Sequence, residues 1–109
     1  MRAMKPVEFA GTALDDLRAF PETARREAGY QIDKVQHGDD PDDWKPMSTI
    51  GAGVKEIRIR DASGAFRVIS LAKLTDAIYV LHCFQKKSER TGESDVRLAR
   101  KRFRELTKE

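Results

Sequence analysis

The tightest constraint on this chain lies between Val54 and Leu71, where two short segments carry side chains suited to a β-ladder. From Val54 to Arg60, apolar Ile57 and Ile59 alternate with Glu56, Arg58 and Arg60, the period of a strand with one buried and one polar face. Asp61-Ala62-Ser63-Gly64 is a cluster of turn formers, after which aromatic and β-branched residues resume from Ala65 to Leu71. With a four-residue turn, Arg60 falls opposite Ala65 and Arg58 directly opposite Arg67. Opposed like charges destabilise a sheet, and arginine cannot lose its proton to escape. Two arrangements relieve the conflict. Glu56, one step along the same face, can act as an internal counter-ion, or an external anion such as phosphate can be gripped by the arginine forks.

The flanking segments supply a scaffold. Ile78 to Phe84 is the most apolar run and is expected to form a central third strand after a turn at Lys73-Leu74-Thr75-Asp76. Its register is open, because turns of three and four residues place opposite sets of side chains beside Arg67. One register brings His82, Phe84 and Lys86 to the arginine face, the other Cys83, Gln85 and Lys87. A lysine arrives in either case. His82 reads as a buried imidazole bonded to backbone or as an acid/base group.

Upstream, Pro6-Val7-Glu8-Phe9 is β-prone enough to add an edge strand. Thr12 and Asp15 mark the start of a helix with Leu14, Leu17 and Phe20 on one side, ending at Phe20. Pro21 opens a second helix whose Ala24, Ala28, Ile32 and Val35 form a stripe, stopped by Gly38. Gly38 to Gly53 has no hydrophobic period and reads as a solvated connecting loop. Its aspartates lack the ligand spacing and closing glutamate of a calcium loop. Trp44 and Met47 are expected to tuck onto the domain edge, with Lys45 near the polar face. Ser94 is expected to cap a last helix with Val96, Ala99, Phe103 and Leu106 on one side and Arg97, Arg100, Lys101, Arg104 and Lys108 on the other. The order α-α-β-β-β-α predicts an α+β domain: a small antiparallel sheet, two N-terminal helices packed on one face, and a C-terminal helix.

Charge narrows the function. Residues 1–53 carry 7 Lys/Arg against 10 Asp/Glu, whereas residues 54–109 carry 14 against 8. The basic half holds the three strands and the last helix, so a polyanion, usually nucleic acid, is the expected partner; the bland alternative is a solvated basic helix. At 109 residues the chain is expected to be a single domain with one core. Its one cysteine, Cys83, excludes an internal disulfide and a cysteine-rich metal cage. No apolar run approaches the roughly 20 residues of a membrane span, and a reduced, cytoplasmic setting without cofactor is expected.

Several runs together resemble a known family. Trp44-Lys45-Pro46-Met47, then Gly51 to Arg58, then Phe66-Arg67-Val68, then Leu81-His82-Cys83-Phe84-Gln85-Lys86-Lys87 and Leu98 to Arg102 resemble the phage-derived HigB-like branch of the RelE/ParE toxin superfamily. The resemblance implies a RelE-like fold and the toxin of a type II toxin–antitoxin pair, which enters the ribosomal A site and cleaves mRNA. It also implies a cognate antitoxin, often with a helix-turn-helix domain. The family's basic active face maps onto Arg58, Arg67 and the Lys86-Lys87 pair. Two features depart from RelE: Glu56 stands where RelE has a lysine, and no tyrosine follows Lys87.

Metal-free cleavage through the ribose 2′-OH needs a base, a proton donor and cations around the phosphorane. Arg58 and Arg67 are candidates for the last role and Glu56 for the base. Lys86, Lys87 and His82 are all candidates for the proton donor. Arg60, Lys101 and Arg104 are candidate grips for the RNA backbone, and Lys45 and Lys55 join them as RNA-binding candidates. Two other functions fit the same charge pattern: a ParE-like inhibitor of DNA gyrase, and a nucleic-acid-binding module that cleaves nothing.

Overall fold

The structure, a computed structural model, describes residues 4–72, 76–87 and 91–108. The elements in chain order are β1 (Val7–Phe9), α1 (Ala13–Arg18), α2 (Glu22–Gln36), β2 (Trp44–Pro46), β3 (Val54–Asp61), β4 (Gly64–Leu71), β5 (Ile78–Lys86) and α3 (Glu93–Thr107). The strands form one sheet in the order β1-β5-β4-β3-β2.

The central hairpin follows from its alternation. Arg60 pairs with Ala65, Arg58 with Arg67 and Asp61 with Gly64. Gly64 adopts a φ of 137°, a conformation open to glycine at no steric cost. The Asp61 carboxylate accepts hydrogen bonds from the Ser63 amide at 2.8 Å and from Thr23 Oγ1 of α2 at 2.6 Å, which ties the turn to the helix layer. Those bonds, led by the Ser63 hydroxyl and Thr23, hold the Asp61 carboxyl below its ordinary range.

The third strand takes the register that puts Phe84 opposite Arg67, Lys86 opposite Ala65 and His82 opposite Ile69. A shift between Ile69 and Ser70 brings Val80 rather than Leu81 opposite Ser70. Such an irregularity changes the parity of pairing along the strand. The turn expected at Lys73-Leu74-Thr75 lies outside the described residues. Asp76, just after them, accepts a hydrogen bond from the Tyr79 hydroxyl at 2.9 Å.

Both outer strands correct the expected sheet. β1 pairs with β5 in parallel, so the sheet is mixed rather than purely antiparallel. The whole helical layer and the hairpin separate these strands in sequence, so no local turn dictates their relative direction. The segment read as a plain loop contains β2, in which Trp44, Lys45 and Pro46 pair with Ile57, Glu56 and Lys55. Proline is tolerated there because β2 is an edge strand. Nor are all the aspartates of that segment free in solvent. Lys34 Nζ bonds Asp42, Gln31 Nε2 donates to Asp42 at 2.8 Å, and Lys55 Nζ reaches Asp40 at 2.9 Å.

The helix boundaries shift slightly from the pattern reading. α1 stops at Arg18, and Pro21 is the residue before α2 rather than its first position. α3 begins at Glu93 after Gly92, so Ser94 lies within its first turn and is not the cap.

Two apolar clusters flank the sheet. One joins Ile57, Ile59, Phe66, Val68, Val80 and Cys83 to Ala13 and Leu17 of α1 and Ala24, Ala28, Ile32 and Val35 of α2. Within it the Phe20 and Phe66 rings lie 4.8 Å apart and tilted, a favourable aromatic geometry. The other joins Val54, Ile69, Leu71 and Leu81 to Met47, Ile50 and Ala99, with Val96, Phe103 and Leu106 of α3 packed against it. Gly51 permits this docking, because a Cβ there would come within 2.4 Å of the Phe103 ring. No helix among the described residues is long and apolar enough to cross a membrane.

Phe66 is 1% exposed at the centre of the first cluster. Phe66→Ala is expected to cost about 3–5 kcal/mol, measured as a lower midpoint in chemical denaturation. Burial also pushes the Cys83 thiol up to about 12. The native protein should therefore resist iodoacetamide at mildly alkaline pH and react once unfolded, a contrast readable by mass spectrometry.

Candidate functional site

Strand pairing sets side chains in rows on the sheet face that also carries α3. Lys45, Glu56, Ile69 and His82 form one row, Arg58, Arg67 and Phe84 the next, and Arg60, Ala65 and Lys86 the last. The apolar stripe of α3 packs at the Val54 and Leu71 end of this face. At the hairpin end a cavity of about 150 Å³ is lined by Asp43, Arg58, Ile59, Arg60, Arg67 and Lys86. Two larger cavities lie elsewhere. Among the described residues, one of these, of about 350 Å³ beside β5, has no lysine or arginine in its wall, and the other, of about 380 Å³ beside β2, has only Lys45. Charge therefore singles out the smallest of the three.

Glu56 occupies the position of the internal counter-ion. It is 0% exposed and Arg67 3%. Its Oε1 lies 3.5 Å from Arg67 Nε and 3.6 Å from Arg58 Nε, close enough for ionic attraction. These separations exceed hydrogen-bond length, and all three atoms are buried without a hydrogen-bond partner. The other carboxylate oxygen, Oε2, accepts a hydrogen bond from Thr91 Oγ1. Arg67 Nη1 donates to the Phe66 carbonyl at 3.0 Å. One buried carboxylate thus serves two guanidinium groups, and among the described residues the wall of the cavity beside them carries four cations against the single carboxylate of Asp43.

Two pKa values respond to this crowding. Burial lowers that of Arg67; Glu56 opposes the effect, while Arg58 and Arg60 add to it. Lys86 is also lowered, first by burial and then by Arg67, with smaller contributions from Arg58 and Lys45 against the pull of Glu56. Lys86 therefore releases a proton more readily than an ordinary lysine.

The other candidates separate clearly. His82 is not bonded to backbone: its Nε2 lies 2.7 Å from Asp95 Oδ1 of α3, and its ring stacks on Phe84 with centroids 4.9 Å apart. Lys87 follows the last residue of β5 and is exposed outside the cavity wall. Lys45 shares the row of Glu56 and borders the neighbouring cavity with Thr91. Lys55 belongs to the alternate set of β3 side chains and is engaged with Asp40, its ammonium 4.2 Å from the centre of the Trp44 ring. Lys101 and Arg104 are exposed on α3 and do not line the cavity. Glu56 sits behind the arginines, enclosed, rather than at the opening.

Pattern reading missed Asp43 and Thr91. Asp43 reaches the site because its carbonyl accepts the Arg58 amide at 2.8 Å, just before β2 pairs with β3. The only available signal was the short Trp44-Lys45-Pro46 strand hidden in an acidic segment. Thr91 stands in no periodic pattern and gives no sequence signal.

No curated protein matches the chain. A family model described as "Phage derived protein Gp49-like (DUF891)" matches residues 15–104, a span that includes α1 apart from its first two residues, α2, the hairpin, β5 and every described residue that lines the cationic cavity. The chain belongs to this phage-derived Gp49-like family, which is associated with RelE and toxin-like proteins.

Proposed function

We propose that this chain is a toxin of the HigB-like branch of the RelE/ParE superfamily and that its cationic cavity cleaves ribosome-bound mRNA without a metal. The observation that carries the reading is the opposed Arg58 and Arg67 pair, shared by one buried carboxylate and flanked by Arg60 and Lys86 around an opening. Guanidinium donors held in place by the sheet suit the charge that gathers on a phosphorane, because they need no reorganisation as that charge develops.

We assign the proton transfers by burial and position. Glu56, being enclosed, serves as a positioning counter-ion for the arginines rather than as the base. Asp43, in the cavity wall, takes the proton of the ribose 2′-OH as that oxygen attacks phosphorus. Lys86, with its lowered pKa, gives a proton to the departing 5′ oxygen. The P–O5′ bond breaks, leaving a 2′,3′-cyclic phosphate and a 5′-hydroxyl. Arg60 and Lys45 steady the backbone on either side, and exposed Lys101 and Arg104 extend the attraction over α3. His82 holds α3 through Asp95 and has no part in proton transfer. A cytoplasmic setting and a small helix-turn-helix antitoxin as partner complete the proposal.

Arg67→Ala and Lys86→Ala are each expected to lower translation-dependent mRNA cleavage by about 10²–10³-fold, the usual yield of a charge stabiliser or a general acid. Induced expression with mapping of mRNA 5′ ends measures this. Cleavage by Arg67→Ala at the wild-type rate refutes the site. Intact mRNA with gyrase-dependent DNA breaks would instead indicate a ParE-like toxin, and RNA binding without cleavage a passive module.

The pH profile gives a second check. Lys86 acts as an acid only while protonated, and its pKa lies below the ordinary lysine value of 10.5. The rate should therefore fall as pH rises through that lowered value, and Lys86→Ala should abolish this alkaline limb.

A further inference from the structure

The Thr91 hydroxyl lies against the most costly feature of the site, the three buried polar atoms of Glu56, Arg58 and Arg67 that lack hydrogen bonds. An ionised N–H···O bond settles at about 2.7–2.9 Å, yet Glu56 Oε1 stays 3.5 Å from one Nε and 3.6 Å from the other. A small rotation of the carboxylate would let both oxygens close on one guanidinium. Its second oxygen is already committed to Thr91.

Thr91 itself is held independently of the arginines. It stands just ahead of Gly92, the residue that precedes α3, and α3 is fastened by His82 Nε2 and Asp95 at 2.7 Å, by Arg102 Nη1 donating to the Leu81 carbonyl at 2.8 Å, and by Arg100 Nε donating to the Thr49 carbonyl at 2.9 Å. The apolar contacts of Val96, Phe103 and Leu106 add to this anchorage. The helix therefore sets where the hydroxyl stands, and the hydroxyl sets where the carboxylate stops.

We infer that Thr91 is a positioning residue that keeps Glu56 from fully neutralising the arginine pair, so that guanidinium donors remain for a phosphate group. This inference rests on the reading of the cavity as a phosphate site and extends it to a residue outside the cavity wall. In Thr91→Val, which keeps the shape but lacks the donor, the freed oxygen turns to the arginines and competes with the ligand.

The test is calorimetric titration of the full chain with inorganic pyrophosphate, comparing wild type, Thr91→Val and Thr91→Ser. Thr91→Val should bind about tenfold more weakly, the scale of one hydrogen bond to a charged group, and Thr91→Ser should restore wild-type affinity. Should Thr91→Val be insoluble, Thr91→Ala carries the same expectation. Thermal melts accompany each titration, because a threonine that only supports α3 would lower the melting temperature and leave pyrophosphate affinity unchanged. Equal affinity of wild type and Thr91→Val overturns the inference while leaving the phosphate site standing, as does a Thr91→Ser variant as weak as Thr91→Val. Absence of pyrophosphate binding by the wild type overturns the phosphate site and this inference with it.

Discussion

One carboxylate between two guanidinium groups is the interaction on which the cationic face depends. Strand pairing forces Arg58 and Arg67 opposite each other, and neither can become neutral. With Arg67 almost wholly buried, the pair would be untenable without an anion beside it. Glu56 supplies that anion from the same strand, two residues from Arg58. Its reach is incomplete, because one oxygen faces both arginines at ionic rather than hydrogen-bonding distance. The result is a charged cluster stable enough to fold and still short of negative charge.

The architecture keeps that deficit at the surface. One apolar cluster joins sheet side chains to residues of α1 and α2, and a second joins others to α3. Because α3 packs toward the Val54 and Leu71 end, the arginine rows at the hairpin end retain an opening. The hairpin is also secured from outside the sheet, through Asp61 and Thr23. Rigid strands carry the cations while a short edge strand brings in Asp43, so a carboxylate and a lysine of lowered pKa meet beside the same arginines.

Burial divides the charged residues into roles that formal charge does not distinguish. Glu56 and Asp43 are both carboxylates, yet one is enclosed and fixes the arginines while the other borders the cavity. His82 and Lys86 are two residues apart on β5 and share a face. α3 claims the histidine through Asp95, and the lysine stays at the opening. The helix thus decides which groups a ligand can meet.

Local chemistry by itself determined the hairpin, the arginine pair and the stripes of α2 and α3, and left open whether Glu56 or an external anion serves the arginines. Each follows from a period of two or 3.6 residues and from turn chemistry within a few positions. The choice among lysines, the parallel direction of β1, the arrival of Asp43 and the grip of Thr91 on Glu56 were decided by tertiary structure alone. A pairing irregularity at Ile69 and Ser70 sets the register of β5, and long connections set the neighbours of β1 and β3. Periodicity reports which way a side chain faces along its own element, whereas the groups it meets there depend on contacts that close only when distant segments pack together.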